Sequence, residues 1–374
     1  VSEDGCREIS GKLEKEGLMA KRKVVVRGTG TVGAAGLRLI IQHPQLELVG
    51  LLVSGPEKVG IDAGDLAGTG KTGIVGTTDV DAILALEPDC LAQFTNSAMR
   101  EEATNAEIIP FLLRGINVVS NSQMDVFQPR HGRQEYVEPI ARACEQGGAS
   151  MFSSGVEPGF ATTGFPLNLL SIGGRVDEVK VAEIVNISEY GGVESLKLYG
   201  FGEPLDYKPP MFTSPIGNAW HRSTVKCFAD YMGVKLDEIT STWETAALDF
   251  DIEPLFGRIP AGRTAGTRWT MVGMSGGKPF ITYTKLERLH DAAGPDWQHG
   301  KVGEGNNVFW RTEIIGEPSY VSEIGTSLVP SVAMIPAHVV NAIPTVCDAP
   351  PGILDPMRIP PYWTLDVGEG LVRA

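Results

Sequence analysis

The chain has 374 residues, enough for two domains or three at about 100–200 residues each. With 42% hydrophobic and 21% charged residues it carries the apolar material for a large core, which excludes wholesale disorder. Its 46 Asp and Glu against 32 Lys and Arg leave a formal charge of −14, a surface that repels phosphate backbones and anionic lipid, so neither nucleic acid nor membrane is an expected partner.

Residues 1–18 are polar and charged, without the apolar stretch of a secretory signal. Met19 is read as the native start and the preceding segment as an extension. No apolar run approaches the roughly 18 residues of a bilayer span. The five cysteines (Cys6, Cys90, Cys144, Cys227, Cys347) are odd in number and lack C-x-x-C spacing. That predicts neither a disulfide framework nor a thiolate metal site, and it fits a reducing cytoplasm. The 45 Gly and 25 Pro predict many tight turns.

From Lys23 to Ser150 short β-branched runs alternate with helical stretches. Val24-Val25-Val26, Leu46 to Val53, Asp89 to Phe94, Asn117 to Ser120 and Ser150 to Ser153 read as strands. Ala34 to Ile41, Asp79 to Leu86, Ala103 to Arg114 and Gln134 to Gln146 read as helices, with a Gly-rich connection over Gly60 to Gly76. This alternation predicts βαβ units and a parallel sheet over residues 19–155. Beyond Gly155 longer alternating runs appear: Glu178 to Ile187, Thr240 to Phe250, Ala265 to Val272, Pro279 to His290 and Asn307 to Ile315. One helix, about Asn218 to Met232, lies among them. Residues 156–330 therefore read as an α+β domain with an open, mostly antiparallel sheet. A helix from Ser331 to Thr345 begins a tail, 331–374, that returns to the first domain.

The strongest motif is Gly28-Thr29-Gly30-Thr31-Val32-Gly33, set between a β-branched run and an apolar helix. That is the context a dinucleotide fingerprint requires. Gly28 permits the tight turn, Gly30 lets backbone approach a pyrophosphate at a helix N-terminus, and Gly33 allows close helix–strand packing. The second strand ends without a carboxylate at its tip; Ser54 stands there, with Lys58 four residues on. A hydroxyl beside a cation suits a 2′-phosphate, which favours NADP(H), while Glu57 within reach of a ribose keeps NAD(H) open.

In such a sheet the ligand lies beyond the carboxyl ends of the strands. Three of these ends are small and polar: Thr95-Asn96-Ser97, Ser120-Asn121-Ser122-Gln123 and Ser153-Ser154-Gly155-Val156-Glu157-Pro158-Gly159. Thr95, Asn96, Ser120 and Asn121 are candidates for the nicotinamide carboxamide. Glu157 is the candidate general acid/base, a Glu raised by burial, and Gln123 the group that orients substrate.

The fingerprint, the segment Lys58 to Gly64, the turn Gly155 to Phe160 and the late stretches Val340-Asn341-Ala342-Ile343-Pro344 and Ala349-Pro350-Pro351-Gly352 resemble the dihydrodipicolinate-reductase-like oxidoreductases. Native amine dehydrogenases and 2,4-diaminopentanoate dehydrogenase are among them. The resemblance implies a Rossmann domain, a C-terminal catalytic and dimerising domain, and hydride transfer between a nicotinamide cofactor and a C=N/C–N substrate, with a homodimer as the assembly. It does not extend to the H-H-x-x-K signature of dihydrodipicolinate reductase itself, which is absent. Gln123 stands where the amine dehydrogenases carry a catalytic Glu, and Glu157 where they commonly have Asn.

His221, Tyr199 and Phe201 are candidates to line the substrate pocket. His131 and Glu135 share a helix face without a third metal ligand, so no metal is expected. Neither G-x-S-x-G nor a Walker A sequence occurs. The expected protein is thus an NADP(H)-preferring oxidoreductase acting on a small carbonyl, imine or amine. The alternatives are a carbonyl or C=C reductase without amine chemistry, or a non-catalytic nucleotide-binding protein.

Overall fold

The computed structural model describes residues 21–95, 100–191, 193–255 and 257–366. The expected N-terminal extension, Cys6, Met19, Asn96 and Ser97 lie outside them. Val24, Val25 and Val26 are fully buried, as befits a strand covered on both faces. They form β1 (Arg22–Arg27), an interior strand of a seven-stranded sheet. On one side lie β2 (Leu46–Leu52) and β3 (Gly76–Thr77); on the other lie β4 (Cys90–Gln93), β5 (Asn117–Ser120), β6 (Ser150–Ser153) and β13 (Gly352–Ile353). Every neighbouring pair is parallel. The order 3-2-1-4-5-6 is that of a Rossmann sheet, and its switch point falls between β1 and β4.

Helices α1 (Thr31–Gln42), α2 (Glu101–Leu112) and α3 (Gln134–Gly147) provide the main crossovers. The expected Gly-rich connection holds more order than the sequence suggests, namely β3 and a short helix, Ala63–Ala67. Asp62 organises it. Its carboxylate accepts from the amides of Gly64, Thr72 and Gly73, and backbone bonding led by Thr72 outweighs burial to bring its pKa down to about 2.

The second layer is a six-stranded sheet. Its strands are β7 (Arg175–Asn186), β8 (Glu238–Ala247), β9 (Thr264–Ser275), β10 (Lys278–Arg288), β11 (Val308–Glu317) and β12 (Tyr320–Thr326), in the order 12-11-7-10-9-8. All neighbours are antiparallel except β7 and β10. β9 turns into β10 through Gly276 and Gly277, both at positive φ (57° and 74°), as a two-residue hairpin demands. β12 escapes the sequence pattern because it is a half-buried edge strand with little alternation.

Register aligns one row of side chains across this sheet. Trp243 pairs with Trp269, Trp269 with Lys285, Lys285 with Glu183, and Glu183 with Trp310. An ion pair thus stands between aromatic neighbours. Helix α4 (Pro215–Met232) covers the same face, packing Val225, Phe228 and Ala229 on Trp269, Met271, Ile281 and Tyr283.

The chain then returns. Helix α5 (Leu328–Cys347) packs Val339, Val340, Ala342, Ile343 and Val346 into one core with Val24, Val26, Leu37 and Ile40. Over an 18-residue window its mean hydropathy is 1.4, so by length and composition it could cross a membrane. Polar Ser331, His338 and Asn341 interrupt the apolar run without lowering that average enough. Its buried stripe lies in the protein core. Replacing Ile343, fully buried, by alanine is expected to destabilise the fold by about 2–5 kcal/mol, read as a lowered urea midpoint.

Candidate active site

A cavity of about 700 Å³ separates the carboxyl edge of the parallel sheet from the inner face of the mixed sheet. Its first wall is the glycine loop. Gly28 has φ +99°, and a Cβ there would lie 3.0 Å from the Phe94 carbonyl carbon, where the loops after β1 and β4 meet. A Cβ on Gly33 would stand 2.2 Å from the Gly28 carbonyl oxygen, so this glycine allows α1 to start against the loop. A Cβ on Gly30 meets nothing within 4 Å, and no side chain caps α1, which leaves its first amides pointing at open space. The loop fits a pyrophosphate. Asn121 adds a second fit, because its Oδ1 is buried without a partner at the cavity wall, an acceptor suited to a carboxamide N–H.

Ser54 and Lys58 line the same wall, and Lys58 Nζ donates to the Thr29 carbonyl and hydroxyl, each at 3.1 Å. Thr29, Thr31, Val32 and Thr95 line it as well; Glu57 does not. Ser120 donates to the Gln93 carbonyl and to Gln123 Oε1 and lies outside the lining. Gln123 reaches from there towards the Thr104 carbonyl at 3.5 Å, behind the main cavity, so it braces the loop after β5 instead of facing substrate. Phe201 is buried in the core behind the site and does not line it, whereas Tyr199 and His221 do. His131 binds Asp230 at 2.7 Å, and no group of three or more His, Cys, Asp or Glu residues suited to a metal occurs among the described residues.

The opposite wall holds a charged cluster. Glu157 lies on an irregular segment, Val156–Gly164, that leaves β6, and it reaches the mixed sheet. Its carboxylate accepts from the Tyr283 hydroxyl and from Lys285 Nζ at 3.0 Å, with His221 Nε2 at 3.8 Å. Lys285 also donates to Glu183, whose other oxygen accepts from Trp310 Nε1 at 3.0 Å, and stands 3.5 Å from Glu287. His221 Nδ1–H donates to the Gly217 carbonyl at 2.9 Å, which turns Nε2 towards Glu157.

The charges in this cluster follow from burial and from each other. Burial alone raises the Glu157 carboxyl, but the Lys285 ammonium, helped by the Tyr283 hydrogen bond, outweighs it and holds the group below the ordinary range, opposite to the sequence expectation. Burial, opposed by Lys285 and reinforced by the charges of Glu157 and Glu287, pushes Glu183 up to about 7. Burial disfavours the Lys285 ammonium, yet its three carboxylate neighbours hold it well above its usual value. His221 is lowered by burial beyond what Glu157 restores, so it stays neutral. Sequence reasoning misses Glu183, Lys285, Glu287, Tyr283 and Trp310. The available signal was a charge at alternate positions inside buried β runs, Val181-Ala182-Glu183-Ile184 and Lys285-Leu286-Glu287.

A Rossmann loop facing a buried acid–base cluster defines a pyridine-nucleotide-dependent oxidoreductase. The family described as dihydrodipicolinate reductase, N-terminus, matches residues 22–114, and the 2,4-diaminopentanoate dehydrogenase C-terminal domain matches residues 167–366. An amine dehydrogenase of Streptomyces virginiae is 31% identical over 348 residues, covering 90% of this chain and 95% of its own. A 2,4-diaminopentanoate dehydrogenase of Acetoanaerobium sticklandii is 24% identical over 349 residues, covering 91% and 94%. The amine dehydrogenase structure from Mycobacterium smegmatis shares the fold, with a TM-score of 0.73 and 20% identity over 92% of this chain and 97% of that one. The chain belongs to the amine dehydrogenase and 2,4-diaminopentanoate dehydrogenase family of dihydrodipicolinate-reductase-like oxidoreductases.

Gly33→Ala is expected to push the loop off α1 and weaken NAD(P)H binding by roughly tenfold or more, read by quenching of protein fluorescence, with far-UV dichroism unchanged.

Proposed function

We propose that the chain interconverts a primary amine and its imine or ketone with NADP(H), and that Glu183 is its proton-transfer group. The observation that carries this reading is the buried ladder Glu157–Lys285–Glu183 at the cavity wall facing the glycine loop. The loop and Asn121 hold the dinucleotide, which supplies or accepts the hydride when bound. Ammonium must lose a proton before its carbon can give up hydride, and water added to the resulting iminium must lose one before ketone and ammonia separate. A carboxyl near pKa 7 can take and return such protons at neutral pH, and Glu183 meets that requirement. Glu157, ionised and pinned by Lys285 and Tyr283, is the fixed negative charge that stabilises cationic intermediates.

The walls favour an apolar substrate body, with Val185, Leu196, Val308, Leu328 and Ile335 among the lining residues. Ser54 and Lys58 support a preference for NADP(H) over NAD(H). The expected homodimer belongs to the same proposal, with the outer face of β8 to β10, carrying exposed Thr240 and Thr242, as the surface for the second copy.

The test is a panel of primary amines with NADP+, and of ketones with NADPH with and without ammonium; turnover that depends on the amine or on ammonium supports the reading, and ketone reduction indifferent to ammonium refutes it. Glu183→Gln is expected to lower turnover by about 10²–10⁴-fold and to abolish the limb of the pH–rate profile near 7. A loss under about tenfold with cofactor binding intact moves the proton-transfer role elsewhere. Lys58→Ala is expected to weaken NADPH on the order of tenfold while changing NADH little, measured by titration of both nucleotides.

A further inference from the structure

The reaction above employs Glu183, Glu157 and Lys285 and leaves Glu287 without a task. With the period of two along β10, Tyr283, Lys285 and Glu287 project from one face of the sheet, the face bearing the cavity. Glu287 is 8% exposed. Its Oε1 has Lys285 Nζ at 3.5 Å, while its Oε2 is buried with no hydrogen-bond partner. The groups gathered with it around Lys285 are Tyr283 on the same strand, Glu183 on β7, Glu157 on the segment after β6, Tyr199 beyond the helix Val193–Leu198, and His221 on α4. The phenols are kept protonated by burial and the imidazole is neutral, so among the described residues one cation serves three carboxyls.

That imbalance has a definite consequence. Three ionised carboxylates against one ammonium would leave a buried excess of negative charge, which a site of low dielectric does not sustain. In the absence of another cation a proton fills the gap, in keeping with the raised Glu183 and Glu287. A second cation of the right size removes the need for it. The mouth of the site is otherwise apolar on the side of Val308 and Leu328, which suits an alkyl body behind a charged nitrogen.

We propose that Glu287 is an ammonium-binding residue, whose free oxygen receives the cationic nitrogen of an amine ligand while the cluster releases one proton to solvent. No covalent bond other than a carboxylic O–H changes: one alkylammonium enters and one proton leaves. This inference rests on the cavity being the amine site, and it adds the residue and the charge form in which the amine is taken up.

The probe is tert-butylammonium, which keeps its charge at neutral pH and has no hydrogen on the carbon bearing nitrogen, so it binds without being oxidised. Protein saturated with NADP+ is titrated with it by calorimetry at pH 7 in phosphate and in HEPES, whose different ionisation heats report protons exchanged. The expected result is release of about 0.5–1 proton per cation bound. Glu287→Gln is expected to weaken tert-butylammonium at least about tenfold while changing tert-butanol, its neutral counterpart, less than about twofold. Binding with no proton release by the unaltered protein overturns the proposal whatever the variant does. So does a Glu287→Gln protein that binds the cation within about twofold of its parent. Amine-dependent reduction of NADP+ on the same preparation separates the two readings. If it persists while the cation test fails, only the role of Glu287 falls; if both fail, the amine reading falls with it.

Discussion

One ammonium group joins the two layers of this protein. Lys285 Nζ, on the mixed sheet, holds Glu183 beside it and Glu157 on the segment leaving the parallel sheet. Removing one partner of such a buried pair leaves an uncompensated charge, a loss of about 3–5 kcal/mol, whereas the intact pair contributes much less net stability. Its value lies in placement. The Tyr283 and Lys285 contacts fix the Glu157 carboxylate against the sheet, and the Trp310 indole fixes Glu183. The two carboxyls thereby acquire opposite tendencies, one held ionised and one poised near neutrality. A pair separated in this way can keep a fixed charge and move a proton in the same cavity.

The two walls specialise accordingly. The parallel sheet contributes backbone: loop amides, carbonyls and glycines whose lack of a side chain brings α1 and the loop after β4 close together. The mixed sheet contributes ionisable side chains on rigid strands, where register sets their separation. Positions on paired strands vary less than positions on loops, which suits a cluster whose chemistry depends on short contacts.

This division also explains what was legible in the sequence. The glycine loop could be read because each glycine answers a local backbone requirement: positive φ at Gly28, close approach at Gly33, open space before Gly30. The parallel strands β5 and β6 could be read to the residue because both faces are covered and the apolar runs are bounded by polar ends. Glu157 was legible as a lone carboxylate at a strand end, but its ionisation was not, since that depends on a lysine 128 positions away. Glu183 and Lys285 meet only because β7 and β10 pair in parallel inside an otherwise antiparallel sheet, a non-local choice that alternation alone does not encode. Gln123 misled for the opposite reason: its position after β5 is right for the site, yet its side chain turns back to Ser120 and Thr104.

The return of the chain through α5 and β13 bears on how the protein is made. The apolar surface offered by Val24, Val26 and Phe152 is sealed by Val339 to Val346, and β6 gains its outer neighbour only with Gly352 and Ile353. During synthesis the N-terminal half therefore emerges with one flank of its sheet uncovered, and it stays so until the residues of α5 and β13 have left the ribosome. Newborn chains carry exposed apolar surface through that interval, the condition under which partly folded chains stick to one another.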